Sequence, residues 1–234
     1  MAVPHQVVET PPGRQWVIPD MHGCNATFQK LLAQLQLTLE DQLFLLGDYI
    51  NRGPDNAGVL QTIFGLQSRG LAIFPLRGNH EQMALDAHER RKQEPLATDE
   101  LPFRRKKPKG LVDDEGLLLP KYFDFFASLP YYYELEQCWL VHAGFDIEAT
   151  DPFSQTWPML WAHETTWNAA IFKGKTIVRG HVTHSLTDTQ EALASQANVI
   201  SLDNGCYKRT TPGMGSLVCL NITERQLIVQ KNVE

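Results

Sequence analysis

Long apolar runs are missing from this sequence. None approaches the roughly 18 uninterrupted residues that a membrane-spanning helix needs, so no membrane partner is expected. Cysteine is scarce too. The four thiols, Cys24, Cys138, Cys206 and Cys219, are scattered with no CxxC pair, which argues for reduced structural residues over a disulfide framework. Met1 to Pro12 contains no basic stretch followed by an apolar one, so a secretory leader is not expected and the cytoplasm is the expected compartment. An excess of positive charge is also absent. The formal net charge is −6, and nucleic acid is not an expected partner.

What remains is an ordinary globular composition, 43% hydrophobic and 21% charged over 234 residues. No Gly/Ser/Pro-rich linker or internal period divides the chain, and residues 1–234 are read as one domain. Within it, residues 89–119 are polar, charged and weakly periodic, the pattern of an insertion over or beside a site. This segment contains the basic run Arg104-Arg105-Lys106-Lys107-Pro108-Lys109. The run reads as a solvated loop or, more sharply, as a docking surface for an acidic or phosphorylated partner.

Apolar runs alternate with helix-period segments, which predicts an α/β or α+β layered fold. Short strands are expected over 15–19, 42–46, 71–76, 138–141, 176–178 and 198–202, with a closing hairpin over 216–221 and 226–229. Helices are expected over 25–37, with Asn25 as a possible cap, over 55–66, and through Ala84 and Leu85. Tyr131, Tyr132 and Tyr133 are expected at a sheet edge. Trp157, Trp161 and Trp167 are read as core or cleft wall, and His5, His88 and His184 as solvated or rim residues without a ligand role.

Five of these strands end in side chains able to hold a metal: Asp20/His22, Asp48, Asn79/His80, His142 and His181. Ligand clefts form outside the carboxyl ends of strands in layered α/β sheets, so these residues can converge. A two-metal site, with cations about 3.5–4 Å apart, needs a bridging carboxylate and separate oxygen and nitrogen ligands for each ion. Asp48 is the bridging candidate. Asp20 and His22 share a face of an extended segment and point to one ion. Asn79, His142 and His181 would hold the other, a donor set suited to Mn, Fe or Zn more than Ca. Neighbouring glycines such as Gly78 and Gly180 permit close backbone approach. Asp203 and Asn204, after another strand, fit either a turn or partners that orient a ligand histidine.

The ordered segments Asp20-Met-His-Gly23, Gly47-Asp-Tyr-Ile-Asn-Arg-Gly53, Arg77-Gly-Asn-His-Glu81, Val141-His-Ala-Gly144 and Arg179-Gly-His181 resemble the signature of the calcineurin-like metallophosphoesterases. More narrowly, they resemble the PPP-type serine/threonine protein phosphatases of bacteria and of phage lambda. The resemblance covers nearly the whole chain outside the insertion. It implies an α+β fold with two mixed sheets in a sandwich flanked by helices. It also implies two divalent ions, Mn first among them, held by Asp20, His22 and Asp48 and by Asp48, Asn79, His142 and His181. The implied reaction is hydrolysis of phosphoserine, phosphothreonine or phosphotyrosine by a metal-bridging hydroxide, with a phosphoprotein or phosphorylated small molecule as partner. His80 would be the general acid and Arg52 the phosphate clamp. Arg77 is a weaker clamp candidate, since it may instead make a structural pair.

Two departures from the family pattern bear on substrate. Asn51 stands where the family has an aspartate that orients the acid histidine; its amide oxygen can accept from the imidazole, but the charge that stabilises imidazolium is lost. His163 stands near where relatives place an arginine on phosphate, and is read as a phosphate contact or a surface residue. A symmetrical dinucleoside tetraphosphate hydrolase is the competing enzyme reading, favoured by Arg52-Gly-Pro54. A metal-bound, catalytically weak phospho-binding module is the reading from another class.

Overall fold

A computed structural model describes residues 3–93 and 110–234. The basic run at Arg104 to Lys109 lies outside them. Two five-stranded sheets form the frame. The first takes β1 (His5–Val7), β5 (Tyr132–Glu134), β6 (Cys138–Val141), β7 (Thr176–Arg179) and β8 (Val199–Ser201) in that order. The second runs β10 (Gln226–Lys231), β9 (Ser216–Asn221), β2 (Gln15–Ile18), β3 (Gln42–Leu45), β4 (Ala72–Pro75). Both are mixed. The strands β2-β3-β4 and β6-β7-β8 are parallel sets, while β9 and β10 pair antiparallel as the expected hairpin.

Strand side chains alternate between two cores, as the two-residue period of a pleated strand requires. Val17, Phe44, Leu46, Leu140, Val178, Val218 and Leu220 pack between the sheets. Their neighbours Trp16, Ile18, Leu43 and Leu45 face a helical layer. That layer comprises α1 (Asn25–Leu35), α2 (Asn56–Ser68), α3 (Asn79–Gln93) and α4 (Pro120–Ser128), supplying Phe28, Leu31, Ile63, Leu85, Tyr122 and Phe126. A third cluster, Tyr132, Trp139, Phe145, Met159, Phe172 and Ile177, covers the outer face of the first sheet together with α5 (Thr156–Trp161). The remaining helix, α6 (Leu186–Ala194), starts at a capping box in which Ser185 and Asp188 satisfy each other's backbone N–H.

Several local expectations need correction. Asn25 is not a cap: Cys24 holds that position without a side-chain bond. The Asn25 amide instead ties α1 to α2, donating to Asp55 at 2.9 Å and accepting from Thr62 at 2.9 Å. The tyrosine strand is internal, because β1, exposed at all three residues, pairs with it and forms the edge. Trp157 is 68% exposed and neither core nor wall. His88 is not simply solvated; its Nδ1 accepts from the Leu118 N–H at 3.0 Å, and its ring lies 4.5 Å from that of Phe123. The described ends of the 89–119 segment are packed too. α3 continues to Gln93, while Leu111 and Leu118 are buried in the helical-layer core.

Candidate metal centre and active site

Each parallel strand delivers polar side chains from its carboxyl end: β2 to Asp20 and His22, β3 to Asp48, β4 to Asn79 and His80, β6 to His142, β7 to His181 and β8 to Asp203. The structure gathers the six expected ligands into one cluster. Nε2 of His22 lies 3.6 Å from Asp48 Oδ2 and 3.9 Å from Asp20 Oδ2. On the other side, Nε2 of His142 lies 3.6 Å from Asp48 Oδ1 and 2.9 Å from Asn79 Oδ1, which is itself 3.2 Å from Nδ1 of His181. Asp48 is therefore shared by two groups of possible ligands, one with His22 and His80 and the other with His142 and His181.

The ring orientations are set from behind. His22 Nδ1 donates to the Ile50 carbonyl at 3.0 Å and His142 Nδ1 to the Leu46 carbonyl at 2.8 Å, leaving each Nε2 lone pair aimed into the cluster. Asp20 Oδ1 accepts from the His181 N–H at 3.0 Å, while its buried Oδ2 has no partner among the described residues. The Asn79 oxygen faces only acceptors. Turning the amide over would place its NH2 within 2.9–3.2 Å of His142, Asp48 and His181. With the oxygen inward, lone pairs converge with no proton among them, and a cation is what relieves such a set. Burial pushes the Asp20 and Asp48 carboxyls well above their ordinary range, with repulsion from Asp203 and Asp48 on the former and from Glu81 on the latter. Divalent charge at the centre would reverse that penalty. The residues fit a pair of cations.

Backbone strain concentrates at the same place. Among the described residues nine non-glycine positions have positive φ, and His22, Asp48, Asn51, Arg52 and His181 make up five of them. Side chains larger than hydrogen are disfavoured there, so the surrounding turns must enforce the geometry. Gly180 belongs to this constraint: a Cβ would run into Asp20 Oδ1, the oxygen that accepts from His181.

A residue the sequence reading quoted but gave no role, Glu81, organises the turn. Its buried carboxylate accepts from the N–H groups of Asp48 at 2.8 Å, Tyr49 at 2.9 Å and Gly78 at 3.1 Å. Burial raises its pKa to about 7 even against those bonds. The signal for it was its position at the end of the Gly78-Asn-His-Glu81 segment.

His80 flanks the cluster, its Nε2 3.9 Å from Asp48 Oδ2. Asn51 does reach it, but through the amide nitrogen: Asn51 Nδ2 donates to His80 Nδ1 at 2.6 Å. A donor at Nδ1 opposes protonation of the ring. Burial, then Arg52 and His181, lower the His80 pKa to about 4.

The clamp candidates divide. Arg52 is exposed at the rim, its guanidinium 4.7 Å over the Tyr207 ring, which in turn meets the His22 ring edge-on at 5.1 Å. Arg77 is corrected to the structural role: Nη1 donates to Gln82 at 2.9 Å and the Tyr131 hydroxyl at 3.0 Å, and Nη2 to the Ala127 carbonyl at 2.8 Å. His163 is exposed, with its ring 5.5 Å from that of His181. Its carbonyl accepts from the buried Arg179 at 3.0 Å, so Arg179 tethers the His163 segment to β7. Trp161 is a cleft wall, 6.4 Å from the His181 ring. Asp203 accepts from the Gly205 N–H at 2.7 Å, and Asn204 clips the carbonyls of His184 and Gly213, so both are turn residues.

A calcineurin-like phosphoesterase family model matches residues 13–204, which include all six expected ligands. The chain belongs to that family. Serine/threonine-protein phosphatase 1 of Salmonella typhimurium is 42% identical over 73 residues, 31% of this chain and 32% of that protein. The symmetrical bis(5'-nucleosyl)-tetraphosphatase of an Acidovorax species is 40% identical over 73 residues, 31% of this chain and 25% of that protein. The matched stretch thus spans a third or less of each relative. Among solved structures, a putative diadenosine tetraphosphatase superposes with a TM-score of 0.63 at 19% identity, covering 99% of both chains. A serine/threonine phosphatase of Saccharomyces cerevisiae superposes with 0.62 at 15% identity, covering 100% of this chain and 85% of the other. These two share the fold of this phosphoesterase.

Proposed function

We propose that this phosphoesterase is a two-metal hydrolase whose favoured substrates are phosphoanhydrides, dinucleoside polyphosphates in particular. The observation that carries the reading is the donation from Asn51 Nδ2 to His80 Nδ1. A histidine held neutral is a poor proton donor, and general-acid help is typically worth about 10²–10⁴ in rate. Alkyl phosphates such as phosphoserine need that proton for their leaving oxygen. A departing nucleotide does not, because its phosphate oxygen is already a weak base.

On this reading Asp20, His22 and Asp48 hold one cation and Asp48, Asn79, His142 and His181 the second, with Mn the first to test and Fe or Zn as alternatives. The pair would supply the nucleophilic hydroxide and offset charge on the phosphoryl oxygens. Arg52, exposed on its left-handed turn beside Asp48, would clamp those oxygens bidentately. His163, at the other lip, would give a second and pH-sensitive contact. His80 would orient the leaving group without protonating it efficiently.

A second reading, a phosphoprotein phosphatase, is supported by the similarity to the Salmonella enzyme. Turnover of diadenosine tetraphosphate, p-nitrophenyl phosphate and a phosphoserine peptide with Mn separates the two. The tetraphosphate is expected to have the largest kcat/KM and the peptide the smallest. A faster peptide would transfer the assignment to the second reading. Bound metal and peptide binding without turnover of any substrate would point to a phospho-binding module.

A further inference from the structure

Lys208 is a positioned cation beside Tyr207 that the proposed phosphate contacts leave unused. Its N–H donates to the Gly205 carbonyl at 2.7 Å, closing a turn in which Gly205 has φ +60°. The side-chain stem then lies across Gly205, where a Cβ would come within 2.8 Å of Lys208 Cδ. Nζ donates to the Thr183 hydroxyl at 2.8 Å and lies 5.8 Å from the centre of the Tyr207 ring. Fixing a lysine costs side-chain entropy. A carboxylate partner commonly offsets that cost, yet among the described residues neither Lys208 nor Arg52 has a carboxylate within ion-pair distance.

Tyr207 connects this lysine to the centre. Its ring meets His22 edge-on at 5.1 Å and carries Arg52 at 4.7 Å. Two cations thus share one aromatic platform beside a proposed metal ligand. A single phosphoryl group is served by the cations and one guanidinium clamp. A second positive charge stands on the same platform; it shares the field of the buried Asp203 with Arg52 but is in ion-pair contact with no carboxylate among the described residues, and it suits a neighbouring phosphate.

We infer that Lys208, held by Thr183 over the Tyr207 ring next to the Arg52 clamp, forms a second anion subsite, which binds the phosphate next to the one attacked in a phosphoanhydride chain. The inference deepens the proposed phosphoanhydride reading and rests on it for the identity of the chain. The shared chemistry is a run of linked phosphates, either bare or capped by nucleosides.

Calorimetric titration of the Mn-loaded protein with tripolyphosphate and with orthophosphate tests the subsite without turnover. Lys208→Ala is expected to weaken tripolyphosphate at least tenfold and orthophosphate much less, with Lys208→Arg recovering most of the loss. Equal weakening of both anions, or of neither, would overturn the subsite. With diadenosine tetraphosphate and p-nitrophenyl phosphate as substrates, Lys208→Ala should lower the ratio of their kcat/KM values mainly through KM. A fall in tripolyphosphate binding without that change assigns the subsite to bare chains rather than nucleoside-capped ones. If the wild-type protein instead prefers phosphoserine while Lys208→Ala still selectively loses tripolyphosphate, the phosphoanhydride function fails and the anion subsite stands.

Discussion

Both oxygens of the buried Glu81 carboxylate are committed to the turn that presents Asp48, Oε2 accepting from Asp48 N–H and Oε1 from Tyr49 N–H. With the Gly78 bond, three backbone donors depend on one side chain. Glu81→Ala leaves all three buried without a partner, at about 1–3 kcal/mol each. We expect a destabilisation of at least about 3 kcal/mol in denaturant unfolding and a fall in bound metal. Glu81→Gln keeps one acceptor and should lose less on both measures. Equal losses in the two variants would show that volume, not acceptance, matters at this position.

The contact between Asn51 and His80 predicts a selective gain. Asn51→Asp replaces a donor at His80 Nδ1 with a carboxylate, which favours the imidazolium. Phosphoserine-peptide turnover should rise more than p-nitrophenyl phosphate turnover, because only the former needs the proton. A uniform change across both substrates would refute this account of the histidine.

His80 and His142 lie in the same cluster but are assigned different work. His142→Ala should cost bound metal, measured by inductively coupled plasma mass spectrometry, because its Nε2 is aimed between Asn79 and Asp48. His80→Asn should retain the wild-type metal content and slow an alkyl phosphate at least about tenfold. Metal loss in the His80 variant would move that residue into the ligand set.

Far from the centre, Asp41 predicts the acid limb of stability. Its buried carboxylate accepts from Arg14 Nε at 3.0 Å and Nη2 at 2.7 Å, from the Arg14 N–H at 2.7 Å and from the Thr38 N–H at 2.9 Å. Burial alone would raise its pKa, but these bonds outweigh it and lower the value from 3.8 to about 2. A folded-state pKa below the unfolded one means that the contribution is full above about pH 4 and is lost as pH falls toward 2. Asp41→Asn should destabilise by about 1.5–3 kcal/mol at neutral pH. In thermal melts the gap between the two proteins should narrow below pH 4.

The strand-end ligands were legible because three signals coincide at each: an apolar run, a glycine and a side chain with metal-binding chemistry. Other elements carried weaker signals. β1 is exposed at all three residues, so no alternation marks it. α4 has neighbouring aromatics, of which Tyr122 and Phe126 are buried, and its partner surface comes from distant α2 and α3. At the centre, a sequence names Asn51 but not which end of its amide meets His80. It also gives no hint that His22, Asp48 and His181 adopt left-handed backbone, since the turns that impose this come from other strands. Tyr207 and Lys208 lie in a loop without a motif, and only folding brings the Tyr207 ring against His22 and Arg52 and the Lys208 ammonium to the Thr183 hydroxyl.

The distribution of the expected ligands between the sheets has a mechanical consequence. Asp20, His22, Asp48 and Asn79 follow strands of one sheet, and His142 and His181 follow strands of the other. All four cysteines are free, so no disulfide crosses that seam. A cation gripped by Asp48, Asn79, His142 and His181 would therefore act as a rivet joining the two halves of the sandwich, closing loops that run from 63 residues (Asn79 to His142) to 133 (Asp48 to His181) in the manner of a disulfide. Chelation should then do more than silence the centre. Amide hydrogen exchange along β6 and β7 is expected to accelerate ahead of the β9–β10 hairpin, as the seam opens from the riveted end.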